Sequence, residues 1–159
     1  EETGFSVARR TDLPVDSEPR MDVVVLDTIG ELARLYQVAT VVFVGGSLVD
    51  AGGHNILEPA AFGKPIVFGP QMQNFQEIAE AFVASNAACQ VRSERELEEA
   101  LLALLADPAR RAGLGAAARA LVESNRGAKE RSLTAIQDLL PPNDSEGAAP
   151  TVRPFRLVQ

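Results

Sequence analysis

Cysteine and histidine occur once each in the 159 residues, as Cys89 and His54. A lone cysteine forms no internal disulfide, and one histidine without a cysteine cluster or carboxylates at ligand spacing builds no metal shell. No metal is therefore expected; no cofactor is expected either. A basic surplus is also missing: 15 Lys+Arg stand against 22 Asp+Glu, for a formal net charge of −7. Binding to a nucleic-acid backbone needs the opposite balance, so no nucleic-acid partner is expected. Any phosphate bound here must be held locally, by backbone amides and a helix end. No apolar run approaches the ~20 residues that span a bilayer. Two common phosphate signatures are absent as well. There is no GxGxxG, and the P-loop pattern fails at both ends, since Gly63-Lys64 is followed by Pro65 and Glu58 stands where the first glycine belongs. The chain opens Glu1-Glu2-Thr3 without a methionine, as expected of a fragment or processed piece.

What is present is ordinary globular composition, 46% hydrophobic and 23% charged, at a length suited to one domain. Short β-rich runs alternate with helical ones, the signature of βαβ units and a parallel sheet. Strands are expected at Phe5–Ala8, Val23–Leu26, Val41–Val44, Ile66–Phe68 and Ala87–Val91. The middle runs are continuously apolar rather than alternating, as in strands covered on both faces, and Cys89 reads as a buried strand thiol. Helix starts are signalled by possible capping boxes at Thr28-Ile29-Gly30-Glu31 and Ser93-Glu94-Arg95-Glu96, and by Asp107-Pro108. Leu97, Leu101, Leu104 and Leu105 share a face, which predicts an amphipathic helix over 93–106 lying on the sheet. Two more helices are expected near 108–124 and 128–140. Residues 11–22 and 141–159 are Pro-bearing and read as linker or poorly ordered. The expected architecture is α/β, a five-stranded parallel sheet flanked by helices over 1–140, with a flexible tail over 141–159.

In open parallel sheets, ligands sit beyond the carboxyl ends of the strands. One such loop stands out, Val44-Gly45-Gly46-Ser47-Leu48-Val49-Asp50-Ala51-Gly52-Gly53-His54-Asn55-Ile56-Leu57-Glu58-Pro59. Paired glycines let a ligand approach main-chain amides without a Cβ in the way, and a helix N-terminus placed after them suits an anion. Residue physics alone gives an anion or nucleotide site at this loop.

The residues also carry a resemblance. Asp27-Thr28-Ile29-Gly30-Glu31-Leu32, then Phe43-Val44-Gly45-Gly46-Ser47-Leu48, then Gly52-Gly53-His54-Asn55-Ile56-Leu57-Glu58-Pro59-Ala60, then Gly63-Lys64-Pro65 and Gly69-Pro70 to Asn74-Phe75 resemble the Kdo transferases. These are the 3-deoxy-D-manno-octulosonic-acid transferases of lipopolysaccharide assembly. The similarity covers roughly residues 23–140 and is densest from 41 to 75. It implies a GT-B glycosyltransferase, with two Rossmann-like domains facing across a cleft, of which this chain is the donor-binding half without its first segment. The implied donor is CMP-Kdo and the implied acceptor a lipid A precursor, at the cytoplasmic face of the bacterial inner membrane. The catalytic base of such enzymes is a carboxylate of the other domain, so no catalytic residue is expected here and the chain alone is expected to be inactive. By the same resemblance Gly45, Gly46 and Ser47 form one phosphate-approaching turn and Gly52, Gly53, His54 and Asn55 a second. Glu58 accepts the ribose hydroxyls and Asn74 contacts sugar or phosphate. One departure is visible: the family often has histidine after Gly-Pro, where Gln71 stands.

Other readings stay open. Asn55 and Glu58 also fit a capping box, Thr28 and Glu31 either line the base or ribose or close a helix end, and Asn74 is an N-cap candidate. A GT-B enzyme using a UDP-sugar, such as a hexosaminyltransferase or 2-epimerase, shares glycine loops and a ribose carboxylate. A non-catalytic nucleotide-binding module would look alike in this stretch.

Overall fold

The computed structural model describes residues 4–14 and 20–125, together with Thr134 and Ile136. The described body falls within one compact unit, Glu1–Asn125. The expected helix over 128–140, the domain boundary at 140 and the tail over 141–159 lie outside the described residues, apart from those two positions, which are helical.

Five strands form at the predicted apolar runs: β1 Val7–Arg9, β2 Val23–Val25, β3 Val42–Phe43, β4 Ile66–Phe68 and β5 Cys89–Gln90, of which β4 matches its run residue for residue and β1 ends one residue beyond its run. Every pairing is parallel, with Val7 opposite Val23, Val42 opposite Ile66 and Val67 opposite Cys89. The expected single five-stranded sheet is corrected in one respect. Among the described residues the strands form two separate ladders, β1–β2 and β3–β4–β5.

The second ladder is the core. β4 is buried along its whole length, and its side chains alternate between two faces, as strand geometry requires. Ile66 and Phe68 pack with Val44, Ile56, Phe82 and Ala118, while Val67 packs with Val91 and Leu104. The first group draws on α2 (Leu57–Ala61), α3 (Gln76–Ala84) and α5 (Pro108–Asn125), and the second on α4 (Glu94–Ala106). A continuous apolar strand is thus explained by helices on both sides. The same pattern in β2 was expected to mean the same burial and does not: Val23, Val24 and Val25 remain 41–46% exposed. The run records a capacity for burial, and no described element covers these valines. Cys89 lies in a strand as expected but is only half-buried.

Helix starts divide in the same way. Ser93 Oγ accepts from Glu96 N–H at 3.2 Å, which satisfies one orphan donor of α4, and the Glu96 carboxylate reaches back to accept from Arg92 N–H, just ahead of the N-cap, at 2.8 Å. Asp107 Oδ1 accepts from Arg110 N–H at 2.9 Å ahead of Pro108. The box expected at Thr28–Glu31 does not form. Gly30 takes φ +88°, Thr28 donates its hydroxyl to the Glu31 carboxylate instead of capping, and α1 (Leu32–Val38) begins one residue later. In α4, Leu97, Leu101 and Leu104 face inward, whereas Leu105 is 55% exposed because it lies at the margin of the stripe.

The stretch expected to be a linker is tied down at both ends. Asp22 accepts from the amide and hydroxyl of Ser6 at 2.9 and 2.7 Å, and Asp27 does the same for Thr11 at 3.1 and 2.7 Å. Hydroxyl donation from Ser6 and from Thr11 holds these two carboxyls below the ordinary aspartate value. Glu31 is likewise held low, first by Thr28 and then by the Arg10 guanidinium, which reaches it at 3.3 Å.

Candidate functional site

The carboxyl ends of β3 and β4 carry the two loops that matter, residues 44–56 and 69–75. They are stitched to each other by main-chain bonds. Gln71 N–H donates to Ser47 O at 2.8 Å, Asn74 N–H to Gly52 O at 3.1 Å, and within the first loop Gly53 N–H donates to Gly46 O at 3.2 Å. Two glycines make the approach possible. A Cβ on Gly52 would lie 2.4 Å from the Asn74 amide nitrogen, and one on Gly53 2.3 Å from Met72 Sδ. Both residues also take positive φ, +81° and +69°, so glycine is required by conformation and by space together. The two loops therefore form one plate rather than two independent flaps.

On this plate the expected site residues separate into groups. Gly45, Gly46, Gly52, Gly53, His54 and Asn55 are brought together. The amides of Gly46, Gly52 and His54 have no acceptor among the described residues. His54 is exposed, and its Nε2 comes within 3.8 Å of the place a Cβ on Gly46 would occupy. Asn74 reaches the plate through its backbone, and its side chain lies over Gly52. It is not an N-cap, because a short 3₁₀ turn, Gln73–Phe75, precedes α3 and no side chain caps either.

Ser47 departs from its expected role. Its side chain is fully buried, and its hydroxyl donates to Val44 O at 2.5 Å while accepting from Gly69 N–H at 2.8 Å. That hydroxyl is not available to a ligand. The helix after the loop is also weaker than expected as an anion site. α2 has only five residues, and its Leu57 N–H is already taken by Asn55 Oδ1 at 2.9 Å. A helix of little more than one turn sums few peptide dipoles, so loop amides remain as the main donors.

Asn55 therefore closes the helix alone, and Glu58 does not reciprocate. Glu58 is exposed and makes no hydrogen bond or ion pair among the described residues. Its neighbour is Tyr36 on α1, which packs tilted against Phe62 with ring centroids 6.3 Å apart. Burial, and then the Glu58 charge, push the Tyr36 phenol above its ordinary value. Thr28 and Glu31 engage each other and Arg10 at the end of the first ladder. Lys64 donates to Gln37 O at 2.8 Å before β4 begins, at the opposite end of that strand from the plate. Beside the plate, a cleft of about 470 Å³ opens along Pro70, Met72, Gln73, Gln76, Glu80 and Gln90. Met72, Gly69 and Tyr36 were not assigned roles from the sequence. Their parts depend on contacts between distant segments, although Gly69 and Met72 lie in the Gly69–Phe75 stretch that carries part of the resemblance.

Parallel strands flanked by helices, with glycine-bearing loops at the carboxyl ends of β3 and β4, define a Rossmann-like α/β domain. Residues 18–121 match the family model described as glycosyl transferases group 1, and the chain belongs to that family. Among curated relatives, it is 39% identical over 137 residues to the 3-deoxy-D-manno-octulosonic acid transferase of Bordetella pertussis, covering 86% of this chain and 32% of that protein. It is 38% identical over 140 residues to the enzyme of the same name from Haemophilus influenzae, covering 87% and 33%. The chain thus spans about a third of the length of these relatives. A solved structure, described as the C-terminal CMP-Kdo binding domain of WaaA from Acinetobacter baumannii, matches with a TM-score of 0.68 at 35% identity. That match covers 75% of this chain and 62% of the other.

Proposed function

We propose that this chain is the donor-binding part of a Kdo transferase, holding CMP-Kdo while the sugar passes to a lipid A precursor at the cytoplasmic face of the bacterial inner membrane. The observation that carries the reading is the plate itself: two glycine-bearing strand-end loops, locked together, with Glu58 on the next helical turn exposed and without a hydrogen bond or ion pair among the described residues. The similarity to a CMP-Kdo binding domain supports the same choice of ligand.

The chemistry follows from what the plate offers. Transfer from a nucleoside monophosphate sugar leaves negative charge on the departing phosphate, and donors fixed in advance stabilise it most effectively. The amides of Gly46, Gly52 and His54, with the His54 ring beside them, are assigned to that phosphate. Gly45, where a Cβ would meet open space, allows the close approach, Gly53 makes room for Met72 so that the second loop can back the first, and Asn55 holds the loop in register with α2. Glu58 accepts the two ribose hydroxyls, and the Asn74 side chain faces the sugar or phosphate. The amide-rich wall of the adjoining cleft, Gln73, Gln76 and Gln90, suits a polyhydroxylated sugar. All of these residues hold the donor, and none is assigned to proton transfer. Among the described residues there is no cluster of His, Cys, Asp or Glu that could hold a metal, and no helix is long and apolar enough to cross a membrane.

The test is a titration of the 159-residue chain with CMP and with UDP, followed by amide chemical shifts. CMP is expected to bind in preference, with shifts concentrated at Gly45–Ser47 and Gly52–Glu58. Saturation by UDP at comparable or lower concentration would overturn the choice of donor and favour a UDP-sugar enzyme.

A further inference from the structure

The ladder between β3 and β4 is interrupted at the point where the site begins. Val42 N–H donates to Pro65 O at 3.0 Å and Val44 N–H to Val67 O at 2.9 Å. In a parallel ladder of this register, the next bond runs from Gly69 N–H to Val44 O. It is not made directly. The Ser47 hydroxyl is spliced into it, accepting from Gly69 N–H at 2.8 Å and donating to Val44 O at 2.5 Å. One hydrogen bond has become two with an oxygen between them, so the strand ends are held apart by about the width of one hydroxyl. Ser47 O then accepts from Gln71 N–H, which fixes the second loop at the enlarged spacing. Gly69 is buried and has no side chain for a steric reason: a Cβ there would lie 2.1 Å from Ser47 O. Ser47 is also the only fully buried polar side chain among the described residues.

We infer that the Ser47 hydroxyl is a wedge in the β3–β4 ladder that sets the spacing of the two strand-end loops, and that Ser47 acts on the donor as a positioning residue without touching it. The effect on binding rests on the donor-site reading above; the wedge itself does not. Without the hydroxyl, Gly69 N–H is left beside Val44 O, and the natural relaxation is to close the ladder by one bond. Closure draws Gly69–Gln71 toward β3 and changes where the amides of Gly46 and Gly52 point. Misplacement of that size is costly in a site built from fixed donors.

Two readouts on the 159-residue chain and its Ser47→Ala variant separate the wedge from its consequence. The first needs no ligand: a scalar coupling across a hydrogen bond from the Gly69 amide to the Val44 carbonyl. It is expected to be absent in the wild type and present in Ser47→Ala, with amide shifts in both loops. Direct coupling already present in the wild type overturns the wedge and needs no variant, which covers the case of Ser47→Ala failing to fold. The second is CMP affinity, expected to fall by about tenfold or more in Ser47→Ala and to be retained in Ser47→Thr, which keeps the hydroxyl. A folded Ser47→Ala that gains the coupling yet binds CMP like the wild type overturns the positioning role. If the wild type itself does not bind CMP, the donor reading falls, and the wedge is decided by the coupling alone.

Discussion

Glu58 provides the sharpest test of the site, because the structure separates its two candidate roles. A capping glutamate would be hydrogen-bonded at the helix start, whereas Glu58 is exposed, and Asn55 already takes the Leu57 amide. Replacing Glu58 with glutamine keeps size and helix preference while removing the charge and one acceptor oxygen. With no described partner to lose, the folded state is expected to change by less than ~0.5 kcal/mol, as for surface substitutions generally. Binding is expected to respond differently. Hydrogen bonds to a charged group contribute about 1.5–3 kcal/mol each, and about 1.4 kcal/mol is tenfold in affinity. Loss of the charge behind two ribose contacts therefore weakens CMP by about tenfold or more. Thermal unfolding without ligand and a CMP titration, run on the wild type and Glu58→Gln, read both quantities. A third readout lies in Tyr36. The chain has one tyrosine and no tryptophan, so the ultraviolet absorbance of phenolate reports that residue alone. The negative charge of Glu58 disfavours a second negative charge on Tyr36, and burial disfavours it more. The phenol is thus expected to titrate lower in Glu58→Gln yet remain above its ordinary value. A shifted Tyr36 titration with unchanged CMP affinity would refute the ribose role while confirming where Glu58 sits.

Two further outcomes follow from packing and charge. Gly113 and Gly115 lie two residues apart in α5, but a Cβ on Gly113 meets open space whereas one on Gly115 would lie 1.9 Å from Gly63 O. Gly113→Ala is expected to stabilise by about 0.5–1 kcal/mol through helix preference, and Gly115→Ala to destabilise by about 1–3 kcal/mol or more through overpacking against backbone. Melting temperatures that move in the same direction would refute the assignment of α5 against the α2–β4 turn. Asp22, Asp27 and Glu31 are held low by hydroxyl donors. Groups depressed in this way stabilise the fold above their unfolded values and lose that contribution as pH falls through the folded ones. The β1–β2 ladder is therefore expected to lose amide protection as pH drops below about 4, before β4 does. Hydrogen exchange at Val23, whose N–H donates to Ser6 O across the first ladder, and at Val67 compares the two, and simultaneous loss at both would count against the Ser6–Asp22 and Thr11–Asp27 contacts as the cause.

What the sequence determined by itself is local. Apolar runs placed all five strands, because a stretch such as Ile66-Val67-Phe68 has few alternatives to a buried strand once Gly and Pro bound it. Ser93 and Asp107 placed two helix starts, because their caps close within three residues. The glycine loop with His54, Asn55 and Glu58 was legible because that spacing is itself the signal. The tertiary structure decided whatever depends on segments distant along the chain. The same apolar pattern is covered on both sides in β4 and left exposed in β2, since a run of valines does not specify what packs on it. Thr28 pairs with Glu31 rather than capping α1, because Arg10, from the turn that follows β1, also draws the carboxylate. Ser47 looked like a ligand by its place beside two glycines, yet its hydroxyl entered the ladder between Val44 and Gly69, 22 residues apart from it in the second case. A hydroxyl bonds to whichever partners the fold brings within reach, and for Ser47 one of the two, Gly69 N–H, comes within reach only after β3 and β4 have paired.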